Sequence, residues 1–274
     1  MGTHLVLVGG GHAHLFVLEG LARRPLPPGS SVTLVAPHRQ HAYSGMVPGL
    51  VGGRYRAEEL LVDLAALATG AGAEFVEATV ASLDPEAREI VLADGGRKSY
   101  DLLSLAVGSG TAGDDRPGVR EAALFVKPID RTLAIVPAVE RAAASAGPDG
   151  PAVVVVGGGA GGVELALNLR ARLRLLGRGE APVSVVDGRD RILQDRSDTC
   201  RRAAEAALTG ARVGLVLGGE VTALQGNRLL LPSGATLRAD LVVWATGPEA
   251  PALFAGSGLA TDEGGYLRVD RMLR

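Results

Sequence analysis

Hydrophobic positions fall into two alternating patterns along the chain. Leu5-Val6-Leu7-Val8, Val32-Thr33-Leu34-Val35, Val153-Val154-Val155-Val156 and Val183-Ser184-Val185-Val186 are short, nearly continuous β-branched runs bounded by turn residues. Such runs mark strands covered on both faces, as in a parallel sheet. Between them, apolar residues recur three and four apart, which predicts helices from about His12 to Leu21 and from about Ala160 to Leu176. Strand, helix, strand in repetition predicts an α/β fold with a parallel sheet.

The pattern occurs twice. His4–Leu15 and Ala152–Leu165 each pass from a β-branched run through a glycine cluster into a helix. Tyr100–Ser109 and Ala239–Pro248 are a second matched pair: an Asp, a buried strand, then a glycine turn. Short strands precede each of these, between Glu74 and Leu92 with turns at Asp84-Pro85 and Asp94-Gly95-Gly96, and between Glu220 and Leu237 with turns at Gly226-Asn227 and Ser233-Gly234. The expectation is two Rossmann-like three-layer units, each with a small β-meander before its last strand.

A strand–glycine–helix turn of this kind has a specific use. Its first glycine turns the chain, its second lets the backbone approach a diphosphate, and its third packs the helix close to the strand. The helix start then directs N–H groups at the phosphates. The second copy has all three, in Gly157, Gly159 and Gly162. The first has Gly9 and Gly11 but puts His14 third, which calls for looser packing or a side chain turned outward. Either loop could instead be a tight turn with no ligand.

Such turns pair with an acid at the end of the next strand, where it holds a ribose diol. Asp187 fits in the second copy and favours NADH, although Arg189 and Arg191 could receive a 2′-phosphate. The first copy has Ala36-Pro37 there and no carboxylate. Arg39 could substitute by stacking or by a phosphate contact, or could belong to a solvated loop.

Composition removes other classes. The 274 residues are 47% hydrophobic and 21% charged, which excludes a disordered chain and suggests two domains. A net charge of −2 and 3% aromatic residues give no case for nucleic acid. The single cysteine, Cys200, excludes a CxxC pair or disulfide framework within the chain, and its setting reads as the start of an Ala-rich helix. No metal site is expected: His12 and His14 are two apart at a helix start and share no helical face. The apolar runs fall short of the ~20 residues of a membrane span. These features suggest a cytoplasmic protein, with peripheral membrane association open.

Glycine turn, meander, Ala-x-Gly turn, then the same order again, ending in Ala245-Thr246-Gly247, resembles the two-dinucleotide FAD flavoproteins of the pyridine nucleotide-disulfide oxidoreductase superfamily over essentially the whole chain. Val6–His14, Tyr43–Gly49 and Val126–Asp130 are most similar to the NADH dehydrogenase-like FAD oxidoreductases, some of which are fused to selenide, water dikinase. The resemblance implies FAD in the first unit and NAD(P)H in the second, with hydride passing from nicotinamide to flavin. Gly9, Gly11, His12, Ala13 and His14 would then lie along the FAD diphosphate, Val80 would meet adenine through its backbone, and Gly108 would turn near the FAD. Gly157, Gly159, Ala160, Gly161 and Gly162 would cradle the NAD(P)H diphosphate, with Asp187 on the ribose, Gly247 in the second turn and Glu164 near the nicotinamide amide. Glu164 could instead be an ordinary carboxylate of a helix start. Tyr43–Met46 would lie near the flavin ring, and Lys127 could favour a reduced flavin or be a hinge residue.

The redox disulfide of the superfamily is missing, so the expected acceptor is a small non-thiol molecule such as a quinone. A reductase of a small electron-carrier protein, or a nucleotide-binding or regulatory module without turnover, are the alternatives. In relatives a Gly-Asp motif on the FAD and a C-terminal domain follow the lead-in Gly264–Asp270, so homodimerisation is expected only where such a domain exists. The predicted boundaries are residues 1–112 with 241–274 for the FAD unit, and residues 113–240 for the NAD(P) unit.

Overall fold

A computed structural model describes residues 2–274, Asp130 by its backbone alone. The chain forms two compact units. One comprises the residues up to Ala42, Leu61–Gly110 and Glu249–Arg274; the other comprises Tyr43–Leu60 and Thr111–Pro248.

The first unit is built on a four-stranded parallel sheet in the order Glu74–Glu77, Ser31–Ala36, His4–Val8, Leu102–Leu105. Successive residues of a strand face opposite sides, and both sides are covered. Leu7 and Leu34 pack with Leu18 of the His12–Arg23 helix and Leu64 of the Leu64–Gly70 helix. Val6, Val8 and Val35 pack on the other side with Leu83, Ile90 and Leu92. Those three belong to the antiparallel meander Val80–Asp84, Glu89–Leu92, Arg97–Ser99. Helices, sheet and meander are the three layers.

The second unit repeats this plan with five parallel strands in the order Leu124–Phe125, Leu241–Trp244, Val153–Val156, Val183–Asp187, Val213–Leu217. Val153 and Val155 face Leu165, Leu169 and Leu173 of the Ala160–Leu175 helix. Val154 and Val156 face Leu224 and Leu229 of the second meander and the fully buried Trp244. The predicted helices hold to within two residues at their ends.

Two boundaries differ from those expected. Leu241–Trp244 belongs to the second sheet, paired with both Val153–Val156 and Leu124–Phe125, so the chain leaves that unit after Pro248 and not at residue 240. Tyr43–Leu60 also belongs to the second unit. Val47, Leu50, Val51 and Leu60 are buried in its core, and the Arg172 guanidinium donates to the carbonyls of Leu50 and Val51, both at 2.9 Å. Burying four apolar side chains at about 1.5–3 kcal/mol each outweighs continuity along the chain.

Candidate functional site

The second unit opens at the carboxyl ends of its strands into a cleft of about 920 Å³. Val153–Val156 is the strand from which the sheet grows in both directions, and such switch points are where α/β sheets bind ligands. Gly157, Gly159 and Gly161 line the cleft, with Asp187 on one side and Gly247 and Lys127 on the other.

The glycines of this loop divide the work. Gly157 has φ +120°, and a Cβ there would come within 2.4 Å of the Ala245 carbonyl oxygen. Gly162 brings the helix against the strand: its Cβ would stand 1.9 Å from the Gly157 carbonyl oxygen. At Gly159 and Gly161 a Cβ would meet nothing within 4 Å, so these two give backbone directly onto open space. Gly159 caps the helix with no side-chain hydrogen bond, which leaves first-turn N–H groups for a ligand. An uncapped helix start under an open glycine backbone fits a diphosphate.

Asp187 ends its strand half-buried. Its carboxylate accepts from the Gly158 N–H and, at 2.8 Å, from the Arg189 N–H. Each oxygen keeps a further lone pair for a ribose hydroxyl. Beyond it, Arg116 donates to the Val221 carbonyl and pairs with Glu220, with its guanidinium 5.9 Å from the Trp244 ring centre. At the other end, Ala112 accepts from Trp244 Nε1 at 3.0 Å and from the Thr246 hydroxyl at 2.6 Å, while its N–H donates to Gly247. These bonds fix the Gly247 turn on the cleft wall.

The loop of the first unit has the same outline with a different closure. Gly9 has φ +95°, and its Cβ would lie 2.3 Å from the Ala106 carbonyl oxygen. Gly11 caps the helix without a side-chain bond, and its own N–H donates to Ala106 at 3.2 Å. His14 is turned inward and 1% exposed, so of the two expectations the outward turn does not hold. Its Nδ1–H donates to the Gly9 carbonyl at 2.7 Å, and Nε2 accepts from the Ser104 hydroxyl at 3.0 Å. Burial pushes its pKa below the ordinary value, partly offset by the Gly9 bond. A neutral ring with both nitrogens engaged has no donor left for a phosphate, so His14 acts on the loop and not on a ligand.

Among the other predicted residues, His12 and Ala13 are exposed at the helix start, and the ring of His12 meets that of His41 edge-on at 6.2 Å. Gly108 has φ +78° and faces open space. Val80 begins the meander, half-buried, beside a bulge. The Arg39 guanidinium is engaged by Asp63 at 2.8 Å, whose carboxyl it holds at about 2. The strand end lacking an acid, Ala36, is paired in register with Glu77, which accepts from the Arg39 N–H at 3.1 Å. In the second unit, Ala160 and Glu164 are exposed on their helix and do not line the cleft. Cys200 is an exposed free thiol in the first turn of the Asp198–Gly210 helix, capped by Ser197.

The Tyr43–Gly49 segment, whose Tyr43–Met46 part the resemblance set near the flavin ring, contributes to this cleft. Ser44, Val47 and Pro48 reach it from the segment expected in the other unit.

The family model described as pyridine nucleotide-disulphide oxidoreductase matches residues 3–274. An NADH dehydrogenase-like protein of Mycobacterium tuberculosis (strain CDC 1551 / Oshkosh) is 30% identical over 99% of this chain and 69% of its own length. Demethylphylloquinone reductase NdbB of Synechocystis is 24% identical, over 98% of this chain and 68% of its own length. Among solved structures, NDH2 from Plasmodium falciparum in complex with NADH superposes with a TM-score of 0.82 at 18% identity, covering 93% of this chain and 57% of that one. The chain spans between 57% and 69% of the length of these proteins.

Proposed function

The chain belongs to the pyridine nucleotide-disulphide oxidoreductase family, and from that premise we propose that it oxidises NAD(P)H through bound FAD and passes the electrons to a quinone. The observation that carries this reading is the duplicated glycine turn, each copy set before an uncapped helix, with the second opening onto a cleft of dinucleotide scale.

In the second unit the N–H groups of Gly159 and Gly161 hold the coenzyme diphosphate and Asp187 takes the adenosine ribose hydroxyls, which favours NADH because a carboxylate there repels a 2′-phosphate. The Gly247 turn, held by Ala112, shapes the wall on the nicotinamide side. In the first unit Gly11 and Ala13 approach the FAD diphosphate, Val80 offers its backbone to adenine, and Gly108 leaves room beside the sheet. Bound FAD would supply the redox chemistry, a two-electron centre between the single hydride of the nicotinamide and the acceptor. The protein's contribution is to position the two nucleotides and exclude water.

A quinone fits better than a thiol acceptor because Cys200 is the chain's one cysteine and stands alone on an exposed helix. A relative named for demethylphylloquinone reduction supports the same choice. The test is steady-state NADH consumption by FAD-loaded protein with a short-chain quinone, a ferredoxin-type carrier or a disulfide as acceptor. Turnover with the quinone alone is expected; turnover confined to the protein carrier or the disulfide overturns the assignment.

A further inference from the structure

We propose that Lys127 makes the cleft of the second unit selective for the reduced, uncharged nicotinamide over its oxidised, cationic form. The proposal rests on reading that cleft as a nicotinamide coenzyme site.

The order of strands carries the placement. Along the carboxyl edge lie, in sequence, Lys127 after the Leu124–Phe125 strand, Gly247 after Leu241–Trp244, the glycine loop after Val153–Val156, and Asp187 at the end of its own strand. With the ribose at Asp187 and the diphosphate at the loop, the rest of the coenzyme runs towards Gly247 and Lys127. Lys127 and Asp187 are three strand spacings apart, about 14 Å, which suits the reach of an extended dinucleotide from its adenosine ribose to its nicotinamide.

Lys127 lines the cleft half-buried, and Val126, Ile129, Val47 and Pro48 are among the apolar residues of the same lining. Its backbone carbonyl accepts from the Thr111 hydroxyl at 3.2 Å. Its side chain makes no hydrogen bond or ion pair among the described residues, and burial lowers its pKa from the ordinary lysine value. Three carboxylates line the cleft, Asp187, Asp195 and Glu220, all on the segments that follow the Val183–Asp187 and Val213–Leu217 strands, away from Lys127; Asp187 is engaged by backbone N–H groups and Glu220 by Arg116. A cation thus stands in partly dry surroundings at the nicotinamide end, with no carboxylate bonded to it among the described residues. An ammonium there can donate to the carboxamide oxygen of either coenzyme form. It repels only the pyridinium, which carries a full positive charge, and leaves the neutral dihydropyridine unopposed. The product of hydride transfer would therefore be the weaker ligand.

Binding isotherms of the oxidised, FAD-loaded protein test this without turnover, using NAD⁺ and tetrahydro-NADH, a neutral analogue unable to give up hydride. The wild type should bind the analogue about tenfold more tightly than NAD⁺, a ratio reasonable for one partly screened charge. Lys127→Met should bring the two within about twofold by gaining affinity for NAD⁺, and Lys127→Arg should keep the wild-type ratio. Equal affinities in the wild type, or an unchanged ratio in Lys127→Met, overturn the role of Lys127 while the coenzyme site stands. Failure of the wild type to bind either ligand overturns the coenzyme site, and this inference with it.

Discussion

The two glycine loops meet one demand by opposite means. After the His4–Val8 and Val153–Val156 strands a glycine carbonyl points at the following helix. In the second unit Gly162 lets the helix settle onto it, with no room for even a Cβ. In the first unit the corresponding His14 reaches the same carbonyl with Nδ1 and anchors its other nitrogen on Ser104. A backbone fit has been replaced by a side-chain strut. The strut is titratable and the backbone fit is not, so the first loop depends on pH in a way the second does not.

The comparison can be broken by substitution. Gly162→Ala should do most damage, because the obstructing atom is backbone: a loss of about 3 kcal/mol or more, seen as a lower thermal midpoint together with lost coenzyme binding. His14→Gly, which gives the first loop the glycine pattern of the second, should cost about 2–3 kcal/mol, since the Gly9 carbonyl and Ser104 hydroxyl lose their partner and a void remains. A neutral His14→Gly would mean that the two closures are interchangeable.

Titration sharpens the same contrast. The pKa of folded His14 lies below the ordinary 6.5, so the unfolded chain binds the extra proton first as pH falls. Stability should therefore drop as pH decreases from about 6.5 towards the folded value, and level off below it. Chemical denaturation at several pH values should show this slope in the wild type and its loss in His14→Gln. The smallest effect on stability belongs to Gly159→Ala. Its Cβ meets nothing, so the midpoint should stay within about 0.5 kcal/mol. Coenzyme affinity should nevertheless fall about tenfold as the methyl enters the cleft.

Sequence patterning revealed the duplication, the buried strands and the glycine spacing because each is a local requirement of backbone geometry. Asp187 was legible for the same reason: it sits at a fixed place after a strand. What escaped were choices made by packing. Nothing in Val47-Pro48-Gly49-Leu50-Val51 says whose core will bury it; Arg172, more than a hundred residues on, decides that through the carbonyls of Leu50 and Val51. The inward turn of His14 was equally hidden, since it depends on a serine in the last strand of the sheet. Arg39 was left between a ligand contact and a solvated loop, because nothing in the sequence shows that Asp63, the N-cap of the Leu64–Gly70 helix, engages its guanidinium.

The central claim is that both loops hold dinucleotides and that electrons pass from one to the other. Anaerobic titration of FAD-loaded protein with NADH measures this most directly. The account predicts loss of the flavin's visible absorbance, complete at one NADH per bound FAD; a flavin spectrum unchanged by excess NADH and by excess NADPH would contradict it.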